Sequence, residues 1–316
     1  VNIWQQLPSQ FFILAPMDDV TDVVFRRLVN TWAAPDVTFT EFANVDGLQS
    51  AGRDDVLQKL RRDKDETNVI AQIWGLDSGN YRKTAAEITD MGFAGIDINM
   101  GCPVAKITSK GCCSALIKTP ELAAELIAAT KDGAGELPVS VKTRIGFNEI
   151  ATEEWCGFLL EQDIAALTVH GSTVKEQSSV ECHWDELGKL HGLRREIAPE
   201  TLVIGNGDVV SREQGLELME QHQLDGIMIG RGVFANPYVF ASAADQPELT
   251  ERHRIEMFIK HIEAYRAEWG DSKNPAALKK FAKTYLREFA GVSELRDELM
   301  HRNDYDDFLV FLRQQL

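Results

Sequence analysis

Short apolar or alternating runs, most followed by a stretch of helical period, recur eight times along the chain, and this repeat constrains the fold more than any other feature. The runs lie at residues 12–15, 37–41, 68–74, 95–100, 139–144, 166–170, 202–206 and 226–229. Helical patterns at 22–32, 81–91, 121–131, 153–162 and 212–221 fall between them. Thr119-Pro120-Glu121 and Ser211-Arg212-Glu213 supply helix-start chemistry, a hydroxyl cap followed by Pro or acid. Strand and helix alternating eight times predict an α/β chain folded as a (β/α)8 TIM barrel. A doubly wound sheet is the competing architecture, but it usually has fewer repeats and an early Gly-x-Gly-x-x-Gly, which does not follow the first run.

Beyond Pro247 the period changes. Ile255, Phe258, Ile259, Ile262 and Tyr265 share one helical face. Breaks at Gly270–Pro275 and Gly291–Ser293 divide the remainder into three or four helices. The expected domains are a barrel at 1–245 and a helical domain at 246–316.

Composition sets outer limits. The 316 residues are 44% hydrophobic and 26% charged, ordinary for a soluble globular protein. No apolar run approaches the ~18 residues of a membrane span, and the N-terminus does not read as a signal peptide. Five cysteines without Cys-x-x-Cys spacing argue for a reducing cytoplasm rather than a disulfide framework. Cys112-Cys113 looks like a vicinal redox pair, yet reads as small-residue packing in such a compartment.

A net charge of -16 argues against a general nucleic-acid binder. Its distribution is uneven: residues 245–316 hold 12 Lys/Arg against 14 Asp/Glu, and no acid occurs from Ser272 to Arg287. Lys273, Lys279, Lys280, Lys283 and Arg287 lie in that stretch, which reads either as a solvated helix face or as a surface for a polyanion.

In a barrel the chemistry gathers at the carboxyl ends of the strands. Those ends carry Ala15-Pro16-Met17, Gln72, Asn99 with Cys102, Lys142-Thr143-Arg144, His170, Asn206-Gly207-Asp208 and Gly230-Arg231-Gly232. Gly101-Cys102-Pro103 breaks the fourth strand and presents a thiol at the start of a loop. A buried structural cysteine is the bland alternative; the polar neighbours Asn99 and Lys106 favour a functional one. His170 reads equally as a hydrogen-bonded core histidine. The glycine-rich ends of strands seven and eight suit a phosphate, with Arg231 adding charge. A phosphate site joined by Lys142, Gln72 and His170 suits flavin mononucleotide (FMN), with Lys142 stabilising the negative charge of the reduced ring. Cys102 would face that ring as a general acid, with an ordinary thiol pKa of ~8.5. No zinc-ligand spacing and no Gly-x-Ser-x-Gly elbow is present, so no metal is expected.

Taken in order, several motifs resemble one family. They are Ala15-Pro16-Met17 with Val20-Thr21-Asp22, Thr40-Glu41-Phe42, Asp97-Ile98-Asn99-Met100-Gly101-Cys102-Pro103 with Lys106, and Val141-Lys142-Thr143-Arg144-Ile145-Gly146. Val169-His170-Gly171, Gly205-Asn206-Gly207-Asp208 and Ile229-Gly230-Arg231-Gly232 complete the set. Together they are similar to the tRNA-dihydrouridine synthases. The resemblance implies that NADPH reduces FMN, that hydride passes to C6 of a uracil in tRNA, and that Cys102 protonates C5.

It carries Pro16, Met17, Asp18, Gln72, Lys142, His170, Asn206, Gly207, Asp208, Gly230 and Arg231 over to FMN. Asn99 and Arg144 match positions expected to hold the flipped uracil, with Lys106 near the RNA backbone. The helical tail corresponds to an RNA-binding domain, which moves Lys279, Lys280 and Lys283 to the RNA-contacting side. The chain is expected to act as a cytoplasmic monomer without a protein partner. The alternative reading is an FMN-dependent reductase of small pyrimidines, of the dihydroorotate dehydrogenase type. Three positions depart from the family pattern: Ser172 where many members have Arg, Asp18-Asp19 after Pro-Met, and Cys112-Cys113 in a loop otherwise rich in Gly and Ala.

Overall fold

Eight parallel strands close into a barrel in chain order: β1 (Phe11–Leu14), β2 (Val37–Asn44), β3 (Val69–Trp74), β4 (Gly95–Asn99), β5 (Val139–Arg144), β6 (Ala166–His170), β7 (Leu202–Asn206) and β8 (Gly226–Ile229). The structure is a computed structural model and describes residues 2–177 and 179–316. The ring is sealed by β1 pairing with β8, with Phe11 opposite Gly226 and Leu14 opposite Ile229. Gly226 is required there, since a Cβ would lie 2.3 Å from the Phe11 ring. The alternation predicted a TIM barrel, and the barrel is present. Strand positions β5 to β8 match the expected runs to the residue.

Helices α1 (Val23–Ala33), α2 (Ser78–Asp90), α3 (Pro120–Ala134), α4 (Thr152–Leu160), α5 (Trp184–Ile197) and α6 (Arg212–His222) alternate with the strands. Asp77 and Ser211 cap α2 and α6 by accepting from the Asn80 and Gln214 amides. Thr119, expected to do the same for α3, makes no side-chain cap: that start rests on Pro120, which has no amide hydrogen to satisfy.

Inside the barrel the lower layers are apolar. Phe11, Ile13, Val37, Phe39, Ile70, Ala166, Ile204 and Met228 form one buried cluster, joined by Ile3 and Trp4 from the N-terminal turn. Moving toward the carboxyl ends, the inward positions become polar: Gln72, Asp97, Asn99, Ser140 and Asn206 are all buried. Period-two alternation makes this possible, because the same face that supplies Ile70 supplies Gln72 two residues later.

The chain divides into two compact units, residues 1–23 with 35–230, and residues 24–34 with 231–316. The second unit contains α7 (Glu251–Trp269), α8 (Val292–Met300) and α9 (Tyr305–Arg313), together with most of α1. Its centre is aromatic: Phe25 stacks on Phe281 at 5.4 Å and Phe258 on Tyr285 at 5.0 Å. His261 is buried among them, its Nδ1 2.9 Å from the Tyr285 hydroxyl, and burial drives its pKa down to about 3. The helix expected after Pro275 is a 3-10 turn, Pro275–Phe281, leading into a single α turn, Ala282–Tyr285. Among the described residues no helix is long and apolar enough to cross a membrane.

Candidate active site

The loop that follows β4 is held by its own backbone groups. Asn99 turns its side-chain Oδ1 toward the next residues and accepts from the amides of Gly101 and Cys102, at 3.1 and 3.0 Å. Three successive carbonyls then each receive a donor. Thr143 Oγ1 donates to Met100 at 3.1 Å, Arg144 Nε to Gly101 at 2.8 Å, and Ser114 Oγ to Cys102 at 2.7 Å. The Cys102 backbone is therefore fixed from β4, from β5 and from the following loop.

Behind it runs a buried polar chain. Asn99 Nδ2 donates to Gln72 Oε1 at 3.1 Å, Gln72 Nε2 donates to Asp97 at 2.7 Å, and Ser140 Oγ donates to the other Asp97 oxygen at 2.7 Å. Asp97 is fully buried. Burial pushes its pKa up to about 6, although the bonds from Gln72 and Ser140 and the charge of Lys142 pull the other way. Losing Asp97 would strand the Gln72 amide, at a cost of about 1–3 kcal/mol.

Lys142 of β5 reaches past β6 to Asn206 of β7, its Nζ 2.9 Å from Oδ1, so this bond crosses the barrel interior. Asn206 is oriented in turn by donating to the Met228 carbonyl at 2.9 Å. Burial lowers the Lys142 pKa to about 8, helped by Arg144 and opposed by Asp97 and Cys102. An ammonium set among amides, its charge disfavoured by burial, favours an anionic partner that enters beside it.

The Cys102 thiol is half-buried and its pKa is lowered to about 7. A hydrogen bond from the Cys113 thiol is the main cause; the Val104 amide and Arg144 add to it, while burial and Asp18 oppose it. A group near 7 both holds and releases a proton at neutral pH, as a general acid must.

The remaining expected residues lie as follows. Pro16 and Met17 are half-buried beyond β1, where Thr21 Oγ1 accepts from the Met17 amide at 3.0 Å. Exposed Asp18 forms an ion pair with Lys59. His170 ends β6 half-buried, and Gly207 and Asp208 follow β7. A Cβ on Gly207 would meet the Cys182 sulfur at 2.5 Å, whereas one on Gly230 would make only ordinary contacts with Ala15 at 3.6 Å and the Met17 sulfur at 4.0 Å. Lys106 is exposed on the short helix Ala105–Thr108. Arg144 is buried, and beyond the Gly101 carbonyl it donates to Ser172 Oγ at 2.7 Å and to the carbonyls of Thr173 and Gln177. Arg231, Lys279, Lys280 and Lys283 belong to the second unit. There Lys279 Nζ donates to the Met300 carbonyl at 2.8 Å and to Asn303 at 2.9 Å, while Lys280 and Lys283 are exposed.

The family model described as Dihydrouridine synthase (Dus) matches residues 13–316. This chain belongs to the dihydrouridine synthase family. It is similar to a probable tRNA-dihydrouridine synthase of Staphylococcus aureus (strain COL), with 45% identity over 303 residues, 95% of this chain and 91% of that protein. It is also similar to probable tRNA-dihydrouridine synthase 2 of Bacillus subtilis (strain 168), with 43% identity over 314 residues, covering 98% and 95% of the two. Among solved structures, a 2-naphthoyl-CoA reductase bound to 2-naphthoyl-CoA superposes with a TM-score of 0.55 at 10% identity, over 72% of this chain and 49% of that one. Histamine dehydrogenase from Rhizobium sp. 4-9 gives 0.51 at 12% identity, over 80% and 48%. At those identities the likeness is one of fold.

As a member of the dihydrouridine synthase family the chain is an oxidoreductase. In this family member the sequence reading missed Asp97, Ser140, Ser114 and Lys59. Asp97 and Ser140 carried a signal, being polar residues on the inward parity of their strands. Lys59 carried none: it follows a short helix and meets Asp18, Asp19 at 3.7 Å and Glu41 at 3.5 Å. Burial works against its charge, but the three carboxylates outweigh that and raise its pKa. The extra acid of Asp18-Asp19 is thus met by a cation from distant sequence. Ser172, one of the three departures noted in the sequence, accepts a hydrogen bond from Arg144 here.

Proposed function

We propose that this chain reduces uridine to 5,6-dihydrouridine in tRNA, with FMN as its bound cofactor and NADPH as reductant. The observation that carries the reading is the convergence on one barrel end of an acid-tuned thiol and a half-buried ammonium, each on a hydrogen-bonded backbone or partner. The names of the relatives, which are tRNA-dihydrouridine synthases, support the RNA substrate.

The residues fit the cofactor. Lys142, Gln72, Asn206 and His170 face the same end of the barrel from β5, β3, β7 and β6, a cationic and amide-rich set suited to an anionic, planar, hydrogen-bonding ring. Pro16, Met17, Asp18, Gly207, Asp208, Gly230 and Arg231 complete the expected set, with the glycines leaving backbone amides approachable for phosphate. Bound FMN would supply the hydride that C6 of uracil accepts. The chain's own part is to bind the base, exclude water and move one proton. Asn99 and Arg144 orient the swung-out uracil, and Cys102 Sγ delivers its proton to C5. Lys106 and the basic face of residues 273–287 hold the RNA backbone, which fixes position without reading sequence.

Incubating purified protein with unmodified tRNA transcripts, FMN and NADPH, then mapping dihydrouridine by mass spectrometry, tests the reading. Dihydrouridine at a defined position is expected. Cys102→Ala should abolish product while the protein stays yellow. Transcripts returned unreduced, or full turnover by Cys102→Ala, would overturn it.

A further inference from the structure

Gln72, Asp97 and Ser140 are register partners on β3, β4 and β5, so their inward side chains stand at one level of the barrel. Asn99 stands one inward position nearer the carboxyl end of β4. None of the four is more than 5% exposed, so their hydrogen bonds must be made with one another or with the backbone. Those bonds run in one direction. A carboxylate only accepts, and Asp97 ends the chain on its side, taking Gln72 Nε2 on one oxygen and Ser140 Oγ on the other. Backbone amides only donate, and those of Gly101 and Cys102 end the chain on the other side, at Asn99 Oδ1. Between these ends each amide side chain has one admissible orientation: Gln72 turns Oε1 to Asn99, and Asn99 turns Nδ2 to Gln72.

We propose that Asp97 is a positioning residue for the Cys102 loop: its acceptor oxygen holds the Gln72 and Asn99 amides in the one orientation that presents Asn99 Oδ1 to the Gly101 and Cys102 amides. Asp97 acts through the two intervening side chains. Without the carboxylate, Gln72 Nε2 is left buried and lacking an acceptor, which is costly. Turning the Gln72 amide over offers that nitrogen to Asn99 instead. Asn99 turns in response, and its Nδ2 then faces two backbone donors, so the hold on the loop is lost although no loop residue has changed. The carbonyls of Met100, Gly101 and Cys102 keep their donors from Thr143, Arg144 and Ser114. The defect is therefore confined to the amide side, where the peptide gains freedom to rock about its anchored carbonyls. The hydrogen-bond chain rests on no reading of the activity; its effect on turnover rests on the proposed role of Cys102 as proton donor.

Hydrogen exchange of the full chain, resolved to single amides by fragmentation of peptic peptides, tests this in Asp97→Ala, in the isosteric Asp97→Asn and in Gln72→Met. The Met100 amide, which donates to the Lys142 carbonyl at 2.8 Å, is the internal control. In Asp97→Ala the Gly101 and Cys102 amides should exchange about tenfold faster, the fold-change of one lost hydrogen bond, while Met100 stays protected. Asp97→Asn keeps an oxygen for Gln72 and should match the wild type. Gln72→Met cuts the chain in its middle and should expose the same two amides, which decides the matter if Asp97→Ala does not fold. Adding Asp97→Ala to Gln72→Met should change nothing further. Dihydrouridine formation by Asp97→Ala should lose kcat about tenfold with KM for the transcript within about twofold of wild type, and Asp97→Asn should restore it. Wild-type exchange in Asp97→Ala or Gln72→Met, or Met100 exposed in step with its neighbours, would overturn the proposal. So would Asp97→Asn exchanging as fast as Asp97→Ala, which would assign the effect to charge. Failure of the tRNA reading would appear separately, as the expected exchange pattern in a protein that never makes dihydrouridine.

Discussion

At the scale of the residue, the acidity of Cys102 is set by what surrounds it. Cys113 donates to it, the Val104 amide donates to it, Arg144 favours its anion, and burial and Asp18 resist. An acid catalyst must carry its proton, so the protonation step should weaken as pH rises through about 7. Single-turnover reduction of a transcript by pre-reduced enzyme, followed across pH, checks this. In Cys113→Ala the descending limb should move up toward the ordinary thiol value of about 8.5, because the strongest stabiliser of the anion is gone. A limb that stays at its wild-type position would show that Cys113 does not tune the thiol. Legibility was uneven at this scale. Cys102, Lys142 and Asn206 stood out in the sequence because strand ends in a barrel share one face. Cys113 read as packing, because nothing local announces that a loop 11 residues later turns back onto the same sulfur.

At the scale of the element, the eight strands were legible because each is a short apolar or alternating run bounded by turns. The helices were legible in position, though their ends shifted: the pattern at 81–91 is a helix from Ser78 to Asp90, opened three residues earlier by its Asp77 cap. The segment after Pro275 misled because its apolar spacing fits a 3-10 turn as well as an α turn over so few residues. Helix contacts were not legible. Gly133 in α3 looks like a weak point in a helix, yet a Cβ there would lie 2.1 Å from the Arg82 carbonyl oxygen of α2. Its absence lets the two helices approach. Gly133→Ala should therefore cost about 1–3 kcal/mol despite alanine's better helix propensity. Thermal unfolding would register this as a midpoint lowered by several degrees, roughly 2–4 °C for each kcal/mol. A raised midpoint would mean the helices part without penalty.

At the scale of the whole molecule, charge and substrate pull in opposite directions. A chain with net charge -16 is proposed to hold a polyanion, which places the burden on its locally basic surface. Within that surface the lysines are unequal. Lys279 already donates to Met300 and Asn303, so Lys279→Ala should chiefly loosen the second unit. Lys280 and Lys283 present exposed side chains to a phosphate. Lys280→Ala and Lys283→Ala should each weaken tRNA binding across sequences and lower the slope of log K against log salt by about one. Filter binding at several salt concentrations measures that slope, and an unchanged slope in both variants would move the RNA path elsewhere.

Consider finally the three anchored carbonyls of Met100, Gly101 and Cys102. A peptide clamped at consecutive units has no slack to follow a badly presented base. Selectivity in the proposed reaction then falls on the nucleic acid: a uridine would react only if its own strand bends far enough to bring the ring to a stationary sulfur. Stiff duplex would be refused without any dedicated reader, and a change of target would require remodelling distant docking surfaces while the reacting centre stays as it is.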